Sequence, residues 1–196
     1  MPGPHEDDAT RLRRIVGDYG DDRISCADAR AAVVRVVLDR LDVDRVSLWH
    51  FEHPGSRQDR SLVLHCFGAL RRGGALETCD DRLEIAEYRD YFNQLIERGT
   101  YASEDARHDP LLRPMDAAYL QPHDIRSLLD AAFSLNGRAY GMICSETLGR
   151  RVAWRGADVQ ALRSIATRLA ALLSSADVPQ LWSSPSLPLA ALERPR

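Results

Sequence analysis

Two apolar runs, residues 127–135 (SLLDAAFSL) and 138–146 (RAYGMICSE), flank an Asn136-Gly137 pair. That dipeptide favours the left-handed turn of a tight β-hairpin. Both runs are too apolar for a sheet with one solvated face, yet they carry Asp130, Cys144 and Glu146 among hydrophobic neighbours. A charge inside a buried strand needs a partner or a ligand. RVSLWHF at 45–51 alternates so that Val46, Leu48 and His50 share one face and Ser47, Trp49 and Phe51 the other. Both faces are largely apolar, which predicts cover on both. After a turn at His53-Pro54-Gly55-Ser56, SLVLHCF at 61–67 returns as its antiparallel partner, and Gly73-Gly74 leads to a weaker edge segment at 75–78. Residues 100–103 read as a further short strand.

Helical spacing marks the remaining elements. A short helix over residues 10–18 meets Gly17 and Gly20. Ser25 followed by Asp28 resembles a capping box, and behind it Val33, Val36, Val37 and Leu41 repeat on one helix face. Tyr88, Tyr91, Phe92, Leu95 and Ile96 give a helix within 83–98 that Gly99 stops. Over 156–174, Val159, Leu162, Ile165, Ala166, Leu169, Leu172 and Leu173 form a stripe wider than one sheet contact requires, which calls for a helix partner, either the N-terminal helix or a second subunit. Between strand and hairpin, residues 104–126 form a long polar connection. Pro110, Pro114 and Pro122 limit it to one or two helical turns around 115–120.

These elements predict an α+β fold, an antiparallel sheet with terminal helices on one face and the long connections over a small-molecule cavity on the other. The chain divides into an N-terminal tail and short helix (1–24), a domain (25–174) and a Pro/Ser-rich tail (175–196) expected to be flexible, with Trp182 as a candidate anchor.

Composition narrows the function. With 196 residues, 44% hydrophobic and a net charge of −3 from interspersed charges, the chain has a real core and no basic field for nucleic acid. No run approaches the roughly 18 to 20 apolar residues of a membrane span, and residues 1–10 are acidic and polar, so a cytoplasmic protein is expected. Cys26, Cys66, Cys79 and Cys144 form no Cys-X-X-Cys pair. Free thiols are expected, and no metal ligands. His50 and His53 form one close pair at a strand end, as surface histidines near turns commonly do.

Asp130 can bind a ligand or hold the long loop; Glu146 can contact ligand or pair with Arg150 or Arg151. A strict two-residue turn places these carboxylates on opposite faces of the hairpin, and a bulge, with Gly141 a suitable position, would bring them together. Asp105 and Asp109 read as loop-tying caps, and Cys144 as a small buried hydrophobe.

RVSLWHF at 45–51, YFNQLIERGTYASEDARHDP at 91–110, YLQPHDIRSLLDAAFSLNGRAYGMICSE at 119–146 and Trp154 together resemble the GAF domain family, especially the GAF modules of bacterial sensor kinases, over residues 25–174. The resemblance implies a sheet of about six strands between a helical layer and a ligand pocket, and dimers formed through the terminal helices. It implies pocket positions at Ser47 and Trp49, and with them Tyr91, Phe92, Asp105, Asp116, Tyr119, Asp130, Cys144 and Glu146 complete the candidate ligand contacts. In bilin-binding members a cysteine followed by histidine precedes a Tyr-Leu pair; here the stretch is Met115-Asp116-Ala117-Ala118-Tyr119-Leu120, and Met115 cannot form that thioether. The cyclic-nucleotide pattern of the family is not traceable. Cys144-Ser145-Glu146 and Ala131-Ala132-Phe133 depart from the Cys-His-Glu and Val-Pro-Ile of similar members, so the ligand stays unidentified. The reading is a non-enzymatic sensor, a homodimer that signals to a partner protein. Its alternatives are a free methionine sulfoxide reductase, which needs Cys66, Cys79 or Cys144 to meet, and a ligand-free structural dimerisation module.

Overall fold

The computed structural model describes residues 6–52, 62–176 and 178–183. His53 and the turn after the first strand lie outside the described residues, as does the tail beyond Ser183. Helix α1 (Asp8–Gly20) starts at Asp7, whose side chain accepts from the Thr10 amide, and runs through Gly17. A glycine inside a helix costs about 1 kcal/mol; the burial of Leu12, Ile15 and Val16 outweighs it here. Helix α2 (Cys26–Arg40) has the expected cap: the Asp28 amide donates to Ser25 Oγ at 3.1 Å, and that hydroxyl donates to Asp28 Oδ2 at 2.6 Å.

The strands are β1 (Arg45–Glu52), β2 (Val63–Arg71), β3 (Leu76–Glu77), β4 (Arg82–Glu84), β5 (Thr100–Ser103), β6 (Ile125–Leu135) and β7 (Arg138–Leu148), with α3 (Arg89–Arg98) before β5 and α4 (Gly156–Ser175) after β7. They form one antiparallel sheet in the order β3-β2-β1-β7-β6-β5, and β4 also pairs with β2. The extra strand comes from the stretch read as the start of a helix. Leu83 pairs with Leu64, and helix begins only after the tight turn Ile85–Tyr88. Gly99 ends α3 at φ 72°, a left-handed conformation that glycine reaches without a Cβ clash.

Each face of the sheet has its own core. Val46, Leu48, Leu129 and Ile143 face α2 and α4, packed with Val33, Val37, Ile165 and Leu169. Trp49, Phe51, Leu64, Leu128 and Met142 face α3 and the 104–124 connection, packed with Tyr91, Phe92, Met115 and Tyr119. The wide stripe of α4 finds its second partner inside the chain: Leu12, Ile15 and Val16 of α1 belong to the same cluster as Leu162, Leu169 and Leu173. Of the two partners the stripe left open, the N-terminal helix fills the role within the chain. Among the described residues Ile96 is the only exposed large hydrophobic side chain.

The tail differs from the expectation of flexibility through residue 183. Trp182 is fully buried; its indole Nε1 donates to the Trp49 carbonyl at 2.8 Å, and its ring stands edge-on to Phe67 and Phe133. Arg30 on α2 fixes this segment by donating to the carbonyls of Gln180 and Leu181, each at 3.0 Å. Gly141 makes the space: a Cβ there would lie 2.2 Å from Trp182 Nε1.

The β6–β7 hairpin turns with both Asn136 (φ 52°) and Gly137 (φ 75°) left-handed, as a two-residue turn of this type requires. Leu135 pairs with Arg138 and Ser134 with Ala139, but Phe133 then pairs with Gly141. Tyr140 is the extra residue of a bulge. The shift pairs Asp130 with Cys144 and Leu128 with Glu146, so both carboxylates lie on the face away from the terminal helices.

Candidate functional site

Glu146, within β7, is wholly buried, and three donors converge on it from two elements. Arg45, the first residue of β1, binds Oε2, and Tyr119 donates its hydroxyl to Oε1. Ser47 donates to Oε1 at 3.1 Å, while Trp49 Nε1 donates to Ser47 Oγ at 2.8 Å. The Tyr119 hydroxyl in turn accepts from Arg45 Nη1 at 2.9 Å. Burial works against the Arg45 charge, but the Glu146 carboxylate and the Tyr119 hydroxyl outweigh it and raise the guanidinium pKa. This network is closed: a buried ion pair whose remaining hydrogen-bonding capacity is met by neutral donors.

Asp130 on β6 is in a different condition. It is 1% exposed, and Tyr91 of α3 donates to its Oδ2 at 2.6 Å. Its Oδ1 has no hydrogen-bond partner among the described residues. Burial pushes its pKa up to about 7, against the opposing pull of the Tyr91 hydroxyl and the Cys144 thiol, with Glu146 adding to the rise. Burial also drives the Tyr91 and Tyr119 hydroxyls and the Cys144 thiol well above their ordinary values, so all three stay neutral at physiological pH. Phe92 stands edge-on to Phe51 and Tyr91 as wall.

Ser47, Trp49, Tyr91, Phe92, Tyr119, Asp130, Cys144 and Glu146 thus share one interior on the expected face of the sheet. Asp105 and Asp116 do not join them. Asp105 holds Arg126, Arg151 and His108, and Asp116 accepts from Gln121 Nε2 at 2.6 Å and faces Arg107; both tie the connecting segment to its surroundings. Asp109 does the same, accepting from Tyr101 and the Leu111 amide. Glu146 pairs with Arg45 and not with Arg150 or Arg151, because its side chain points inward while Arg150 reaches Asp44 and Arg151 reaches Asp105. Arg45 was missed, although its signal was present: strand alternation puts it on the face of Ser47 and Trp49.

The expected cavity is filled by these side chains. Tyr119 stands edge-on to Trp49 at 5.2 Å, and Tyr91 to Tyr101 at 5.0 Å. Two cavities flank this interior among the described residues. One of about 240 Å³ opens between the end of α3, the hairpin and α4, lined by Ile96, Gly99, Phe133, Thr167 and Ala170 among others. One of about 90 Å³ at the β2–β3 edge is lined by Arg45, Ala69, Arg71, Glu77, Thr78, Cys79 and His123. No helix among the described residues is long and apolar enough to cross a membrane.

A family model described as GAF domain matches residues 28–173. None of the curated proteins matches the sequence. The fold is similar to a phycocyanobilin-bound GAF domain from a cyanobacterial phytochrome, with a TM-score of 0.65 at 14% identity, covering 89% of this chain and 98% of that one. It is also similar to the blue-light absorbing form of the Thermosynechococcus elongatus PixJ GAF domain (TM-score 0.63, 14% identity, 90% and 94% covered). A third is the chromophore-binding domain of bacteriophytochrome RpBphP3 from R. palustris (0.62, 13%, 87% and 61%).

Proposed function

The chain belongs to the GAF domain family, and from that premise we propose that it is a non-enzymatic sensory domain of the cytoplasm. It binds a small molecule against the Asp130 and Glu146 face of the sheet. The observation that supports this reading is Asp130: a buried carboxylate with one unpartnered oxygen is costly in a packed core. A ligand N–H or ammonium donor would relieve that cost. The similar solved structures include a phycocyanobilin-bound GAF domain and a protein with bound biliverdin IXa. Tetrapyrroles carry such N–H donors, so they belong in any ligand panel, as non-covalent ligands here because Met115 offers no thiol.

In this reading Tyr91 and Tyr119 act as stoppers. Each donates to one of the carboxylates, and each sits on a cover element, Tyr91 on α3 and Tyr119 on the single π-helical turn Asp116–Leu120. Irregular turns of that kind recur at functional sites. A ligand would replace their hydroxyls and lift the cover, and the readout would pass across the sheet to the α1/α4 layer, there to a partner protein or a second copy. Native mass spectrometry and an absorption spectrum of the purified full chain test this. A stoichiometric co-purified small molecule supports it.

A second reading, a structural module without a ligand, draws on the packed state of the same face. It predicts that nucleotides, amino acids and tetrapyrroles leave the melting temperature unchanged. Neither reading includes catalysis: no turnover of free methionine sulfoxide is expected in a coupled assay, and turnover lost on changing Cys66, Cys79 or Cys144 singly would contradict both.

A further inference from the structure

Four metal-binding side chains of three chemical kinds gather at the β2–β4 edge, from three separate stretches of the sequence. Cys66 lies on β2 beside the bulge at which Trp49 pairs with it and Leu48 with Gly68. Cys79 lies in the β3–β4 connection and Asp81 at its end. The two thiol sulfurs and an Asp81 carboxylate oxygen are all within 4.8 Å of one another. Backbone holds the group in place, since the Cys66 amide donates to the Asp81 carbonyl at 2.9 Å. Cys79 Sγ donates to Asp81 Oδ2 at 2.9 Å, and His123 Nε2, from the turn before β6, lies 3.0 Å from the same oxygen.

We propose that Cys66, Cys79, Asp81 and His123 bind one divalent transition-metal ion of the zinc type. With metal–sulfur bonds of about 2.3 Å and metal–nitrogen or metal–oxygen bonds of about 2.0–2.2 Å, the edges of a coordination tetrahedron are about 3.3–3.8 Å. The two sulfurs and the Asp81 oxygen lie within 4.8 Å of one another, and His123 reaches the same oxygen at 3.0 Å, so binding asks these side chains, His123 above all, to readjust around the ion. Two soft sulfurs with one imidazole and one carboxylate select zinc-like ions over magnesium or calcium, which prefer all-oxygen sites. An entry path is present in the cavity of about 90 Å³ lined by Cys79 and His123. Arg45 lines the same cavity.

Chemically, each thiol gives its proton to solvent as its sulfur binds the metal, and no electron moves. Because binding releases these protons, uptake strengthens as pH rises. The site also adjoins the buried carboxylate network. The His123 ring packs on Tyr119 at 4.9 Å between centroids. A bound metal would fix one wall of Tyr119 and clamp β4 to β2.

The test uses the full chain, reduced, stripped by a chelator and titrated with Co²⁺ and then Zn²⁺. One equivalent of Co²⁺ should produce thiolate-to-metal charge-transfer absorption, which Zn²⁺ removes by displacement. Cys66→Ser and Cys79→Ser should each cut that absorption by about half and weaken Zn²⁺ binding by at least about tenfold, and His123→Ala should weaken it about tenfold. Cys26→Ser and Cys144→Ser should leave the site's absorption in place. Zinc should raise the melting temperature of the parent chain only where these ligands are intact. Should Cys66→Ser fail to fold, Cys79→Ser, at a half-buried position, carries the comparison. Absence of thiolate bands at tens of micromolar Co²⁺, or undiminished binding in both cysteine variants, overturns the site. So does a Cys66–Cys79 disulfide whose reduced form takes up no metal; that result assigns the pair to redox chemistry.

Discussion

Asp130 and Glu146 are both buried carboxylates, yet one shares its charge with Arg45 and the other meets only neutral donors. Their pH behaviour should differ accordingly. With a native pKa of about 7, Asp130 keeps a proton that the unfolded chain releases near pH 4. Between those values the folded state binds more protons than the unfolded state. The stabilisation from this group is complete below about pH 4 and is lost as pH rises through about 7. Asp130→Asn should remove that dependence: urea unfolding should find the variant close to the parent at pH 5 and more stable by about 1–3 kcal/mol at pH 8.5. Parallel pH profiles would show that Asp130 is ionised throughout. For the ion pair, Arg45→Met or Glu146→Leu alone should each cost about 3–5 kcal/mol, and the double change less than the larger single, because each single leaves a buried charge uncompensated. Additive costs in the same unfolding measurement would contradict the pairing. At this scale the sequence marked Asp130 and Glu146 correctly as buried but misassigned the partner. Arg150 and Arg151 are near in sequence, and the partner that wins is near across the sheet.

Element by element, the sequence was most legible where backbone chemistry is local. The Ser25 cap, the Asn136-Gly137 turn, Gly99 and the alternation of β1 all appear as read. It was least legible where a tertiary contact decides. β4 forms within an apparent helix because Leu83 finds Leu64, and the tail orders through Ser183 because Trp182 finds the notch at Gly141. Whether Asp130 and Glu146 share a face hung on the one extra residue, Tyr140, that only the pairing register reveals. The notch gives a direct test. Trp182→Ala should cost about 3–5 kcal/mol. Gly141→Ala should cost about 1–3 kcal/mol, and less in the Trp182→Ala background, though not zero, since Phe133 Cζ lies 2.4 Å from the added methyl. Equal costs of Gly141→Ala in both backgrounds would mean that the tail does not occupy the notch in solution.

For the molecule as a whole, one sheet separates two cores with different duties. The helical side is closed within the chain by α1, α4 and residues 178–183, hydrophobic contacts dominating. The other side carries the buried charges, under a cover that the sequence shows only as a long polar connection broken by prolines. Sequence periodicity could place that cover but not say how it packs, because a pocket wall and a core residue share one hydrophobic pattern. The central claim is that the charged side is a ligand site closed by Tyr91 and Tyr119. It is tested most directly by thermal shift of the full chain against nucleotides, amino acids and tetrapyrroles, in parallel with Asp130→Asn. At least one compound should raise the melting temperature of the parent by several degrees, consistent with a ligand at about a hundred times its Kd, and should lose most of that shift in the variant. No shift from any compound, or a shift that Asp130→Asn leaves intact, would contradict the account.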